Sequence, residues 1–593
     1  MANIELNAFL DRHLSSSRDT TTVDVFPLMC GLGKSSYIRH AIMKALMDGT
    51  GLIVITDKIA GLKDYTHSDR EDEQELNEYL MNNRNHIAVL YHETMADETP
   101  SLFGRNAKPV ILMTTQRYFS YSASEIAAFT TGSKKRPTII FDEKPYFTER
   151  RKIGIAELNR IDTAINAIDN TARTRDKEWM LQQWSFISQQ IRLMFAEYEA
   201  KNTDTEEIFW QEHTGRMSED DERFLALVDR YKKKFGLHKA DICKDLLAIR
   251  QIFDEGATFV SNKRLGSKDR FFNYCNYFTV VQDNMSKFLD VGAKVFVFDG
   301  TADLSPDYDL DYINMIDCQQ YQRKLPNLTI CLVNAPTDKT RLTSKAHRHE
   351  VDTIIRYIGK CWKNPVIFTY KSLQKTFQEH FNTFNYFGNI KGSNEYREAT
   401  GIIQVGVNRF TSLAYQELTY FNRLATRQRH KKMVKVIGPK AAEKTMNRAI
   451  LEDIEQNAFR SAIRNHDCKV PVTYTIFLPC YTKDEDGNII YTDLVSMIKE
   501  RFEGYGATVE VQEMPMELKL SKMMNRNTER QTYPQRIIEW LYAHVDHVFC
   551  INEMFHDTDL NQDQFHNIKR ENPYIKQLFA RMRIGKGRYK FVI

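Results

Sequence analysis

FPLMCGLGKSS, from Phe26 to Ser36, is the stretch on which the reading of this chain turns. Thr22 to Met29 is apolar and β-branched enough for a buried strand, and from Ser35 to Met47 the apolar residues Ile38, Ile42, Met43 and Leu46 fall at helical spacing. The order is strand, glycine turn, helix, the layout of a phosphate-binding loop. In such a turn Gly31 and Gly33 let backbone amides approach a phosphate. Lys34 would reach the terminal phosphates, Ser35 would place its hydroxyl on magnesium, and Ser36 would bind the nucleotide beside it. The full GxxxxGK[ST] spacing is not met, because Leu28 occupies the place of its first glycine.

Composition bounds the rest. At 593 residues the chain has room for three or four domains of about 150 residues each. Charged residues make up 27% and hydrophobic ones 42%, an ordinary balance for a water-soluble globular protein. A net charge of +4 does not mark the whole chain as a nucleic-acid binder, so any such surface must come from local clusters. The 9 cysteines are scattered without a CxxC pair, which argues against a disulfide framework or zinc ribbon and for a reducing compartment. The start, MANIELNAFLDRHLSSS, lacks a basic segment followed by an apolar core, and no run approaches the roughly 18 apolar residues that span a bilayer. The expectation is a soluble protein of the cytoplasm or another intracellular space, with no membrane partner.

After the first helix, Gly51–Thr56, His86–Tyr91, Pro109–Thr115 and Thr138–Phe141 are short apolar runs between polar stretches, which predicts inner strands of a parallel sheet with ligands at their carboxyl ends. Asp142 and Glu143 end the last run. A carboxylate there is where magnesium needs a second anchor, and the adjacent glutamate can orient or deprotonate the attacking water.

GLGKSS, Thr114-Thr115 and IIFDEKP resemble motifs I, Ib and II of the superfamily 2 helicases, in which the shorter GxGKS form of the phosphate loop occurs. The tetrad here is Asp142-Glu143-Lys144-Pro145 in place of DEAD or DEAH, a departure at the two positions usually associated with coupling. Lys294–Phe298 reads as another inner strand, and the following DGTADLSP resembles motif III, in particular that of the iron–sulphur helicases related to XPD. Those enzymes also carry a long helical insertion between motifs II and III. They place four cysteines between motifs I and II, and this chain has none from Gly31 to Asp142, so no iron–sulphur cluster is expected.

From about Thr148 to Asn284 the strand pattern gives way to helical faces, one with Trp184, Ile187, Ile191, Met194, Phe195 and Tyr198, another with Ile242, Leu246, Ile249, Ile252 and Phe253. Near its end Lys263, Arg264, Lys268 and Arg270 precede Phe271, Phe272, Tyr274 and Tyr277, a mixture that fits either base stacking or a solvated hairpin. Further on, PVIFTY at Pro365–Tyr370 resembles motif IV. Ser393 and Asn394 fall in a segment that reads equally as motif V, a nucleic-acid contact, or as an ordinary turn. QNAFRSAIR resembles motif VI, which implies Gln456 at the nucleotide and Arg460 and Arg464 at its terminal phosphate. Their four-residue spacing would put both guanidinium groups on one helix face. The most concentrated positive segment, Arg423 to Lys435, fits a phosphate contact or a solvated face.

The last hundred residues predict three short helices, at Arg536–Tyr542, Ile551–Phe555 and Gln562–Arg570, then a hairpin turned at Gly585-Lys586-Gly587. Eight basic residues against one acid between Lys569 and Lys590, Arg583, Lys586 and Arg588 among them, suggest a nucleic-acid-binding winged helix. The expected fold is thus α/β, with two RecA-like parallel-sheet domains, a helical insertion and a C-terminal winged-helix-like module. The expected bounds are 1–147 plus 285–330 for the first RecA-like domain, 148–284 for the insertion, 331–480 for the second and 481–593 for the C-terminal module. The resemblance implies an ATP- and magnesium-dependent helicase or translocase acting on single-stranded or forked DNA, or on RNA. Lys34, Asp142, Glu143, Arg460 and Arg464 would be its catalytic residues, Thr114 and Thr115 would contact nucleic acid, and Ser35 and Asp142 would hold the metal. A nucleotide switch that binds a protein partner without unwinding fits the same motifs. A structural binder with a decayed ATP site fits them less well, since Lys34, Asp142, Glu143 and Arg460 are all present.

Overall fold

In the computed structural model, residues 4–16, 19–57, 59–67, 73–91, 107–132, 135–167, 174–201, 208–211, 218–231, 239–260, 277–344, 347–389, 395–410, 414–419, 439–466, 468–483, 488–513, 537, 540–541, 544, 547–558, 560–571, 573–585 and 588–590 are described. The strand before the glycine turn, β1 (Val23–Phe26), is followed by β2 (Leu52–Thr56), β3 (Ile87–Leu90), β4 (Val110–Thr114) and β5 (Thr138–Asp142). After an insertion carrying β6 (Thr148–Gly154), β7 (Ile208–Gln211), β8 (Ala257–Val260) and β9 (Tyr277–Asp283), the chain returns as β10 (Lys294–Phe298) and β11 (Ile313–Met315). The first sheet has the order β11-β1-β10-β5-β2-β4-β3, and every neighbouring pair is parallel. Its inner strands are continuous apolar runs, because helices cover both faces and leave no solvent side for polar residues: LIVIT, VILMT and KVFVF are buried throughout.

The second sheet is built from β12 (Leu328–Asn334), β13 (Val366–Thr369), β14 (Phe384–Tyr386), β15 (Gly401–Val405) and β16 (Val472–Leu478), and, past a hairpin of β17 (Tyr481–Lys483) and β18 (Ile489–Tyr491), β19 (Thr508–Glu513). Its order is β14-β13-β15-β16-β12-β19, again all parallel. The two sheets are the two RecA-like lobes. The second lobe runs past the expected bound at 480, since β19 pairs along β12 from Thr329↔Thr508 to Asn334↔Glu513, and the helix Asp493–Gly504 leads from the hairpin into β19.

The insertion also differs from expectation. Besides its helices it holds an antiparallel sheet, β6-β9-β8-β7. β6, TERRKIG, is half-exposed and highly charged, and β8 has 4 residues, too few for a period to declare itself. Both expected helical faces do close one core with this sheet, Trp184 at 1% exposure and Ile252 at 0% among its members. Asp245, fully buried, ties the layers together: Arg151 Nε lies 2.6 Å from its Oδ1, and Arg160 bonds its Oδ2. Asp245→Ala would remove the buried carboxylate that both guanidinium groups bond and is expected to cost about 3–5 kcal/mol. A full-chain urea melt with an unmoved first transition would show that the helical packing alone carries the insertion.

Beyond the second lobe the described residues form the helices Ile551–Thr558, Gln562–Glu571 and Pro573–Met582, with the antiparallel strands β20 (Val548–Cys550), β21 (Arg583–Gly585) and β22 (Arg588–Lys590) in the order β20-β22-β21. The helix Pro573–Met582 comes in addition to the expected short helices and directly precedes the hairpin strands.

Candidate nucleotide cleft between two lobes

The helix Lys34–Met47 starts directly on Gly33, which takes φ 87°, and Gly31 takes φ 84°. Both are left-handed conformations that glycine adopts at little cost. No side chain caps this helix, so its first amides point to whatever lies in the turn, as anion binding at a helix N-terminus requires. Ser35 is exposed there. Ser36 is engaged elsewhere: its hydroxyl donates to Glu73 Oε1 at 2.5 Å, beside the buried Arg39–Glu73 ion pair. That places Ser36 in helix packing rather than at the turn.

β5 ends at Asp142, next to β10, and the backbone turns sharply after it. Glu143 has φ 92°, a left-handed conformation in a residue with a Cβ, and its N–H donates to Phe298 O at 3.1 Å. Such strain costs on the order of 1–3 kcal/mol and persists only where the surroundings impose it. Lys34 sits in the field of Cys30, Asp142, Asp299 and Glu143. Burial works against its ammonium, but these neighbours outweigh it and hold its pKa above the usual value. Burial raises the Asp142 carboxyl, opposed by Lys34, by a hydrogen bond from Tyr65 and by Arg464. Glu143 keeps access to solvent, and partial desolvation followed by the charge of Asp142 raises its pKa. A carboxylate raised in this way and still reached by water suits a general base.

The second lobe supplies two arginines, though not from one helix face. The helix Pro439–Ala458 stops at Ala458, Arg460 lies in the following turn, and Arg464 ends the 3-10 helix Ala462–Arg464. Ser461 makes the break: its hydroxyl donates to Ala458 O at 2.7 Å and accepts from Ile463 N at 3.4 Å. The turn brings both groups to the first lobe nonetheless. Burial, then the like charge of Arg464 against the opposing pull of Cys30 and Glu143, leaves Arg460 with a lowered pKa, while Arg464 acts on Asp142. At Gly31 an added Cβ would stand 2.2 Å from the carbonyl oxygen of Arg464, so only glycine lets the lobes approach this closely.

Around this centre the segment after β10 is bonded to the second lobe. Gln456 Nε2 donates to Thr301 Oγ1 at 3.2 Å, Arg448 Nε to Leu304 O at 2.8 Å, and Arg501 joins Asp303 to Glu455. Lys144, the departure from the helicase tetrad, contacts Ser305 Oγ at 3.0 Å, Asp307 at 2.9 Å and, across the cleft, Glu452 at 3.3 Å. Its side chain thus links the two lobes. Tyr65 on Asp142 and Tyr308, which donates to Asp299 Oδ2 at 2.7 Å, carried no signal in the sequence, being tyrosines outside any recurring spacing.

The expected nucleic-acid contacts fare differently. Thr114 and Thr115 are buried at 6% and 3% exposure, and Thr114 accepts from Arg117 N as a helix cap, so they line the lobe's interior rather than its surface. Tyr277 donates to Glu417 Oε1 of the second lobe at 2.9 Å, with Lys152 over its ring. Ser393, Asn394, Lys586, the run from Arg423 to Lys435 and the basic segment Lys263–Arg270 lie outside the described residues, as does the side chain of Arg583; Arg588 is exposed.

The donor set near the turn, one serine hydroxyl and one carboxylate, is of hard oxygens and fits magnesium, which is commonly held by one or two carboxylates plus phosphates and water. Among the described residues no three His, Cys, Asp or Glu side chains converge as a full metal cage, and no helix is long and apolar enough to cross a membrane.

Two parallel-sheet, RecA-like lobes thus meet at a glycine turn, an acidic strand end and a turn that carries two arginines. Solved structures similar to the chain include S. tokodaii Xpd4 (TM-score 0.46, 11% identity, 85% of this chain and 100% of that one). XPD in its apo form follows (TM-score 0.45, 13% identity, 86% and 100%), as does Mss116p bound to single-stranded RNA and AMP-PNP (TM-score 0.30, 9% identity, 95% and 82%). No protein-family model and no curated protein sequence matches the chain.

Proposed function

We propose that the chain is a nucleic-acid-dependent ATPase, a helicase or translocase that hydrolyses ATP between its two lobes. One observation carries this reading: the turn with Arg460 and Arg464 packs directly on the glycine turn before Lys34, the carbonyl oxygen of Arg464 lying where a Cβ on Gly31 would come within 2.2 Å. Gly31, Gly33 and Lys34 bind the phosphates, and Ser35 with Asp142 would hold magnesium, which when bound neutralises charge on the β- and γ-phosphates. Glu143 takes a proton from the attacking water as its oxygen bonds to the γ-phosphorus and the bridging oxygen leaves with ADP. Arg460 and Arg464 meet the charge that develops there, and Gln456 tells the segment around Thr301 that the lobes are closed. The basic C-terminal region, read as a winged helix, would grip duplex at a fork. Single-stranded or forked DNA, or RNA, is the partner class.

ATP turnover measured with magnesium, alone and with single-stranded DNA or RNA, tests the reading. Stimulation by a strand is expected. Turnover indifferent to every nucleic acid would favour a nucleotide switch acting on a protein partner, and absence of turnover under all conditions would overturn the ATPase.

Binding to a single strand is also expected to weaken steeply with salt, since log K falls by about 0.7 per neutralised phosphate for each tenfold rise in salt. A titration by fluorescence anisotropy at several salt concentrations measures this. Affinity independent of salt would remove the backbone from the interface.

A further inference from the structure

The connector between the lobes runs from Met315, the end of β11, to Leu328, the start of β12. Two consecutive residues within it reach in opposite directions. Gln322 bonds the strand end that leads into the phosphate loop: its Nε2 donates to Pro27 O at 2.6 Å, and its Oε1 accepts from Met29 N at 3.3 Å. Arg323 bonds the turn that carries the second lobe's arginines. Its Nη1 donates to Ile463 O at 3.2 Å and Arg464 O at 3.3 Å, and its Nη2 to Asn465 O at 2.9 Å and His466 O at 3.4 Å.

Four carbonyls converging on one point form a negative cradle, and a planar guanidinium with five donors is the side chain that can satisfy them together; a lysine ammonium has three donors at a single point. The same guanidinium also borders the phosphate loop, since a Cβ on Gly31 would stand 2.8 Å from Arg323 Nη1. Neither residue belongs to a motif, and neither is placed among the reacting groups.

We propose that Gln322 and Arg323 are a positioning pair: Gln322 holds the approach to the phosphate loop and Arg323 holds the Arg460–Arg464 turn, so that the connector sets the distance between the two halves of the site. The catalytic part of this proposal rests on the ATPase reading. The geometric part does not. Fixing the arginine turn affects charge stabilisation during turnover, whereas fixing the phosphate loop affects nucleotide binding, and the two substitutions therefore separate in kinetics.

The test uses the full chain as Arg323→Ala, Arg323→Lys and Gln322→Ala. Hydrogen exchange followed by mass spectrometry is expected to show amides of residues 463–466 exchanging about tenfold faster in Arg323→Ala, while amides of the insertion helix Lys239–Glu255 stay as in the wild type. ATP turnover in that variant should fall about tenfold in kcat with KM little changed, and Gln322→Ala should raise KM with kcat little changed. Arg323→Lys should not restore the loss, because the charge without the fork cannot span the carbonyls. Unchanged exchange at 463–466 in Arg323→Ala overturns the pair, and so does an equal fall in kcat in both alanine variants with no change in KM, the mark of a lost folded fraction. Should the wild type hydrolyse no ATP at all, the ATPase reading fails and the exchange measurement alone decides the positioning role.

Discussion

Glu143→Gln is expected to bind ATP about as tightly as the wild type and to turn it over on the order of a hundredfold or more slowly, the usual effect of removing a general base. The substitution keeps size and shape but replaces a charged acceptor by a neutral amide that cannot take a proton. Binding should survive because the phosphate loop and Lys34 lie on other segments than the turn after β5. pH supplies a second readout. Desolvation and Asp142 raise the Glu143 pKa, and the unprotonated form is the active one, so kcat should fall with acid at a pH above the usual glutamate value of about 4.3. The variant should lose that dependence. Single-turnover hydrolysis with a parallel binding titration measures both, and near-wild-type turnover would remove Glu143 from the reaction.

Lys34→Ala should have a larger effect on kcat/KM, on the order of a thousandfold, equivalent to about 4 kcal/mol. The ammonium is the first lobe's cation amid Cys30, Asp142, Asp299 and Glu143, and taking it away removes a phosphate ligand while leaving carboxylates facing an anionic substrate. Nucleotide affinity should fall along with turnover, in contrast to Glu143→Gln, where only turnover falls. Equilibrium binding of a fluorescent ATP analogue distinguishes the two patterns. Undiminished affinity in Lys34→Ala would mean that the phosphates sit elsewhere and that the glycine turn is a helix cap and nothing more.

Elements buried on both faces were legible residue by residue. β10 is the run Lys294–Phe298 read from its apolar residues, and β2 and β4 differ from their expected bounds only at the ends, because a parallel strand under two helical layers has no polar positions to confuse the pattern. Half-exposed strands were not legible. β6 carries Glu149, Arg150, Arg151 and Lys152 within seven residues, and β19 has only Val509 and Val511 as apolar positions, an alternation too short to stand out from charged helix or loop. Their places come from partners far away in the chain, β9 for one and β12 for the other.

The sequence by itself determined two local arrangements that lie together between the lobes: a glycine turn opening a helix and two acids closing a buried strand, each defined by adjacent residues. It also determined that Arg460 and Arg464 belong together, while mistaking the reason. Only the tertiary structure decided that Ser461 breaks the helix and that the turn, not a helix face, presents both arginines. Only it showed Lys144 bridging to Glu452, Tyr65 on Asp142, and Gln322 and Arg323 holding opposite sides of the cleft. These are contacts between segments tens to hundreds of residues apart. A single side chain's hydrogen-bonding capacity is visible in the sequence, but its partner is chosen by how the two sheets pack.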